Sequence, residues 1–253
     1  MMRIKTLKDL EKEVKEICSQ DKWHRSTRSE SDGKAGNIYE DLLGIPENNR
    51  RGADIMLSDG TKYEIKTSKS KGTAVTMAGL KPKDHTPQRK QIEEYGKVSL
   101  DGQKRFSSTF RVGKTNPRGL KTDIVGNRVV ITDAKTGKEV MSWDIDDILD
   151  KLESKCGNVI HTTADRRKID GVEEYNYKKS ELYSDFNRKY ARKLLEEGKI
   201  VIETRSKIKL NGSIRDHGTV FRIPRRYLSE FYNNVEIWAD YGSQTQEYLY
   251  ALA

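Results

Sequence analysis

Cysteine is nearly absent: Cys18 and Cys156 are the only two in 253 residues. Two are too few for a disulfide framework or a structural zinc site. His24, His85 and His161 show no ligand spacing with one another or with the cysteines, which argues against a zinc centre. Long apolar runs are missing too. None approaches the ~18–20 residues of a membrane-spanning helix, and the opening MMRIKTLKDLEKEV has no apolar core of a secretory signal. A reducing cytoplasm is therefore the expected setting, with no membrane partner. Hydrophobic residues are scarce, at 34% against a usual ~45–50%. Disorder is excluded by the 3 Trp, 12 Tyr and 5 Phe spread along the chain and by several apolar periodicities.

What is abundant is charge, and it is unevenly placed. The whole chain carries +9. Between Thr61 and Lys121 there are 11 Lys and 4 Arg against 5 Asp/Glu, a net +10, so this one stretch holds the entire surplus. Its remaining residues are mostly Thr, Ser, Gly, Pro and Gln. Such a segment suits a nucleic-acid backbone, because each neutralised phosphate releases condensed counterions. A solvated lysine-rich surface is the plainer explanation. A membrane surface would require an amphipathic helix with an aromatic face, which the stretch lacks.

Periodicity predicts a helix over 6–19, with Leu7, Leu10, Val14 and Ile17 on one stripe and Thr6 and Asp9 as an N-terminal cap. A short helix is expected at 35–43, stopped by Gly44 and Pro46. Strands are expected at 53–57 and 61–66 around Ser58-Asp59-Gly60, then at 128–132 and 139–143 around Lys135-Thr136-Gly137. Asp144 is placed to cap a helix over 145–154. A strand follows at 158–163 and a helix over 179–197, ended by Gly198. Strands at 199–209 and 218–223 flank LNGSIRDHG; Pro224 starts a helix to Phe231, and VEIW is a last strand. The alternation, without repeats, is that of a mixed α/β (α+β) chain.

The sharpest chemical pattern is Asp54 followed by Glu64-Ile65-Lys66. In a strand Glu64 and Lys66 share a face. A two-residue turn would put Asp54 on the opposite face. A three-residue loop, Ser58-Asp59-Gly60 with Gly60 left-handed, pairs Asp54 with Glu64 and brings all three together. Two carboxylates and a lysine fit metal-assisted phosphodiester hydrolysis: carboxylate oxygens suit Mg²⁺, and the lysine can orient a water or offset charge on the phosphoryl group. The alternative is a surface hairpin whose Glu64 and Lys66 merely alternate with Tyr63 and Ile65. Just beyond this strand, Lys81, Lys83, Arg89 and Lys90 form a basic, Pro-bounded loop expected to line DNA.

GADIMLSDGTKYEIKT resembles the PD-(D/E)xK nuclease signature. More narrowly, four segments in order resemble the MvaI/BcnI family of type II restriction endonucleases, relatives of the mismatch-repair nickase MutH. They are DGKAGNIYEDLLGIPENN (32–49), the hairpin at 52–67, TMAGLKPKDHTPQRKQIEEYG (76–96) and RDHGTVFRIP (215–224). The resemblance implies a MutH-like fold, with a catalytic lobe around 34–130 and a DNA-recognition lobe mainly from 155–253. It makes Asp54, Glu64 and Lys66 the catalytic triad, with Glu40 as an acidic residue beside them, and Asp54, Glu64 and Ile65 the Mg²⁺ ligands. It implies a monomer that cuts double-stranded DNA one strand at a time within CC-(central pair)-GG sites, with a cognate DNA methyltransferase as genetic partner. Arg205 and Arg222 match arginines used in DNA recognition, and Arg215, Asp216 and His217 lie in the matching loop. The Asp-to-Glu spacing is wider here than in other members, and histidines that some members aim at the central pair fall on Gly79 and Val220.

From the residues themselves, an arginine can bond guanine O6 and N7 together, and Asp216 can accept from cytosine N4 or hold a neighbouring arginine. Alternation in RDHGTVFRIP predicts Phe221 and Ile223 in the core and Arg222 on the open face. Trp23, Trp143 and Trp238 are expected in the core. A MutH-like nicking or repair nuclease and a non-catalytic DNA-binding protein on a nuclease fold are the competing readings; the presence of all three catalytic side chains weighs against the last.

Overall fold

The structure, a computed structural model, describes residues 6–25, 33–46, 53–70 and 74–242. The first half of the chain forms α1 (Leu7–Ser19), β1 (His24–Arg25), α2 (Lys34–Leu42), β2 (Ile55–Met56), β3 (Lys62–Lys69), β4 (Ala74–Gly79), β5 (Asp84–His85), α3 (Gln88–Tyr95), β6 (Lys97–Val98) and β7 (Lys104–Phe110). There follow β8 (Lys114–Thr115), β9 (Leu120–Val125), β10 (Arg128–Asp133), β11 (Glu139–Asp144), α4 (Ile145–Cys156), β12 (Val159–Ile169) and β13 (Val172–Phe186). The last elements are α5 (Arg188–Glu196), β14 (Val201–Ile208), β15 (Ile214–Pro224), a 3₁₀ turn (Arg225–Phe231) and β16 (Tyr232–Asp240).

These elements divide into two compact units that interleave along the chain. The first comprises Met1–Val75, Lys155–Phe186 and Tyr232–Ala253; the second comprises Thr76–Ser154 and Asn187–Phe231. The expected lobes, 34–130 and 155–253, follow chain order and do not match this division. The reason lies in strand pairing: β3 and β12 lie side by side in parallel, Glu64 opposite Val159, and a parallel pair needs a long crossover. Here that crossover contains most of the second unit.

The first unit is built on a six-stranded mixed sheet, ordered β1-β13-β12-β3-β2 with β16 also paired to β13. Thr6 and Asp9 form the expected capping box of α1. Leu10, Val14 and Ile17 of that helix are buried with Ile38 and Tyr39 of α2, Ile65, Ile160, Tyr177 and Trp238; Leu7, expected on the same stripe, stays at the surface. The second unit holds two five-stranded sheets, β5-β11-β10-β9-β8 and β4-β15-β14-β7-β6. Phe221 and Ile223 are buried as alternation requires, and Trp143 meets Phe221 edge to face at 6.0 Å.

Three local expectations need correction. Residues 179–186 are strand, not helix, and only Arg188–Glu196 is helical. β13 is paired on one side with β12 and on the other with β16, and two ladders of backbone bonds outweigh the helix propensity of the Lys, Glu and Leu in KKSEL. Residues 81–97 are not a loop, since α3 forms there with Gln91 and Ile92 buried. The helix expected after Asp144 forms as Ile145–Cys156, and the Asp144 carboxylate pairs with Lys83. Arg215, Asp216 and His217 lie within β15, because the turn between β14 and β15 closes earlier, where Lys209 N–H donates to Ser213 O at 2.8 Å.

Candidate active site

The hairpin takes the three-residue register. Ile55 pairs with Tyr63 and Met56 with Lys62, which continues to Asp54 opposite Glu64. Leu57 N–H donates to Thr61 O at 2.9 Å, and Gly60 has φ +83°, the left-handed conformation that favours glycine. Asp54 sits in the bend before β2, and its Oδ2 accepts the Ile65 N–H at 2.8 Å. The neighbouring Glu64 N–H points to the other edge of β3, donating to Asn158 O at 3.0 Å. A strand residue directs its N–H and C=O to the same side, so the Ile65 carbonyl shares the Asp54 edge.

Glu64 is 3% exposed and is held by two ammonium groups. Lys66 Nζ donates to its Oε1 at 2.7 Å, and Lys155 Nζ, from the last turn of α4, lies 2.7 Å from its Oε2. Burial is the strongest influence on Glu64 and raises its pKa, reinforced by Asp54 and opposed by Lys66 and Lys155. Burial pulls Lys66 downward, but the carboxylates of Glu64 and Asp54 outweigh it, and its pKa lies above the ordinary lysine value. The Cys156 thiol, pushed up to about 12 by burial, stays protonated. Farther along the same face of β3, Ser68 Oγ and His161 Nε2 lie 2.9 Å apart, and His161 is in register with Lys66.

The donors fit a hard divalent cation: two carboxylates and a backbone carbonyl, all oxygen. No group of three His, Cys, Asp or Glu side chains able to hold a metal occurs among the described residues. Glu40 therefore does not extend the Asp54–Glu64 pair into such a group. It lies half-buried on α2, where its carbonyl accepts the Ile45 N–H at 2.8 Å.

The DNA-recognition residues named from sequence fall in the second unit. On β14 and β15, Arg205 and Arg222 converge on Glu203. Arg205 donates to Glu203 Oε1 at 2.6 Å and Arg222 to Oε2 at 2.9 Å. Burial would raise the Glu203 pKa, but the two guanidinium groups prevail and hold it below the usual carboxylate range. Arg215 and His217 are exposed, and Asp216 accepts the Gly218 N–H at 2.7 Å. A cleft of about 200 Å³ brings Asp216 together with Lys81, His85, Gln88 and Thr204. Arg89 and Lys90 sit on α3, where Arg89 donates to Gly212 O at 2.7 Å and Lys90 lies 3.7 Å from Glu94. Gly79 and Val220 are neighbours: a Cβ on Gly79 would stand 4.0 Å from Val220 Cγ1.

Two residues of evident importance escaped sequence reasoning. Glu203 had a signal, since it precedes Arg205 by two and shares its strand face. Lys155 had none: it comes to Glu64 only through the parallel pairing of β3 and β12. Asn116 and Arg118, in TNPRG, form a structural turn, with Asn116 Oδ1 accepting from the Arg118 and Leu120 N–H groups.

Solved structures of similar fold include the restriction endonuclease MvaI. MvaI in complex with its cognate DNA substrate is 22% identical over 91% of this chain and 97% of that one, with a TM-score of 0.74. MvaI in the absence of DNA is 20% identical over 94% and 100%, with a TM-score of 0.50. No curated protein matches the chain. A family model for the MvaI/BcnI restriction endonuclease family matches residues 11–248. The chain belongs to that family and is a type II site-specific DNA endonuclease.

Proposed function

We propose that this enzyme is a Mg²⁺-dependent PD-(D/E)xK endonuclease that hydrolyses phosphodiester bonds of double-stranded DNA at a short GC-rich site. The site is of the CC-(central pair)-GG form that the family resemblance implies. The observation that carries the chemistry is the hairpin register, which sets Asp54 opposite Glu64 with Lys66 on the same face. Asp54, Glu64 and the Ile65 carbonyl would hold the cation. When bound, it supplies a Lewis acid for the phosphoryl oxygen and a water of lowered pKa. Lys66, kept as an ammonium by its carboxylate neighbours, offsets negative charge gathering on the phosphoryl group. Glu40, on α2, is the further acidic residue that the family resemblance places near the site, outside the cation's ligand group. The first unit is thus the catalytic lobe and the second the recognition lobe. The cell setting is a cytoplasm, and a cognate methyltransferase protects the host's own sites.

The working form is a monomer with one catalytic site. Such an enzyme cuts the two strands in separate encounters. On a supercoiled plasmid with a single target and Mg²⁺, nicked circles should accumulate before linear product. Direct linearisation with second-order dependence on protein would refute the monomer, and no cleavage at any Mg²⁺ concentration would refute the enzyme.

Lys81, Arg89 and Lys90 are exposed, and Lys81 lies in the cleft beside Asp216. In this reading they touch phosphates. Replacing all three by glutamine should reduce the slope of log K against log salt by about 0.9 for each phosphate no longer neutralised. Affinity measured between low and moderate salt checks this, and an unchanged slope places the backbone elsewhere.

A further inference from the structure

Glu64 has a second lysine that the metal chemistry above does not use. Lys155 comes from a different element, across 89 residues of sequence from Lys66, and lies as close to Glu64 as Lys66 does, at 2.7 Å. The two lysines take opposite oxygens, Lys66 on Oε1 and Lys155 on Oε2. An ionised carboxylate has about four lone-pair sites, so each oxygen retains one toward a cation. The lysine side chains are only 19% and 22% exposed and the glutamate 3%. Water and salt screen charges in such a place poorly.

The charges nearest the proposed cation therefore balance. As carboxylates, Asp54 and Glu64 supply two negative charges, and as ammonium groups ion-paired with Glu64, Lys66 and Lys155 supply two positive ones. The adjacent Cys156 is a neutral thiol. A divalent ion entering a balanced site gains little from it electrostatically. A DNA phosphate beside the site supplies the missing negative charge.

We propose that Lys155 is a positioning residue that makes metal uptake depend on DNA: it holds the Oε2 oxygen of Glu64 and cancels the charge that would otherwise draw a divalent ion into the DNA-free enzyme. This rests on the metal-site reading given above. Without Lys155 the group carries one net negative charge, and the DNA-free protein should hold cations tightly.

The test is a titration of the DNA-free protein with Mn²⁺, followed by the loss of the free-ion electron paramagnetic resonance signal. Mn²⁺ suits the same oxygen ligands as Mg²⁺. Wild type should bind weakly, and more tightly once plasmid DNA is added. Lys155→Met and Lys155→Gln should each bind Mn²⁺ at least about tenfold more tightly without DNA, since a unit charge a few ångströms from a divalent ion in a poorly screened site exceeds that factor. Lys155→Arg, which keeps the charge, should behave as wild type. Adding Glu64→Gln to Lys155→Met should remove the gain, which locates it at this site. Thermal unfolding identifies which variants are folded, and either neutral variant suffices. Unchanged Mn²⁺ affinity in a folded neutral variant, with wild type still binding in the presence of DNA, overturns the role of Lys155 alone. Absence of Mn²⁺ binding to wild type even with DNA overturns the metal site itself.

Discussion

Lys66→Ala and Asp54→Ala should each slow DNA cleavage by roughly 10²–10³-fold or more, the scale on which removing one group that stabilises transition-state charge is felt. Binding to target DNA should be nearly unchanged. The separation follows from where the work is done: these two side chains surround Glu64 and the Ile65 backbone in the first unit, whereas affinity and specificity come from phosphate and base contacts. Glu64 calls for a gentler change. Removing its carboxylate leaves two ammonium groups facing each other without a counter-ion, and breaking a buried pair in that way is strongly destabilising. Glu64→Gln, with its unfolding temperature measured beside its cleavage rate, separates chemistry from folding. A Lys66→Ala or Asp54→Ala protein that cuts at near wild-type rate with Mg²⁺ removes these residues from the catalytic set.

Arg222→Ala should weaken binding to the target sequence by about 1–3 kcal/mol more than binding to random duplex, the worth of a two-point arginine–guanine contact. The structure gives the expectation a physical footing. Arg222 and Arg205 are anchored through one carboxylate, Glu203, and a guanidinium with five N–H donors can be fixed in this way and still present others. Glu203→Gln should then lower discrimination through both arginines at once, while leaving the salt dependence of binding alone. Competition binding on cognate and random duplexes distinguishes the cases. Equal losses on both would identify Arg222 as a phosphate contact and refute base reading.

Local patterns were readable in the sequence wherever the deciding interactions were local. The capping box of α1 needs only Thr6 and Asp9, and the register of the β2–β3 hairpin needs only a glycine able to adopt φ +83° at position 60. Most of the candidate site follows from that hairpin. Burial of Phe221 and Ile223 follows from strand alternation in the same way. Features decided by distant partners were not readable. β13 becomes a strand because β12 and β16 flank it. The two units interleave because β12 returns beside β3 after a long crossover. Lys155 reaches Glu64 by that same return, and nothing near it in the chain marks it. The basic segment announced its charge but not its form, since the lysines and arginines that suit a phosphate backbone are also sound helix formers on α3.

In the proposed function, the hairpin acids and lysine drive metal-dependent cleavage at one defined DNA sequence. The most direct measurement is to digest plasmid DNA with the purified protein, with and without Mg²⁺, and sequence every end produced. Cleavage should require Mg²⁺, and every cut should fall at the same offset within one short sequence with CC and GG flanking a central pair. Cuts scattered without a shared sequence, or cleavage undiminished when divalent cations are chelated, would contradict it.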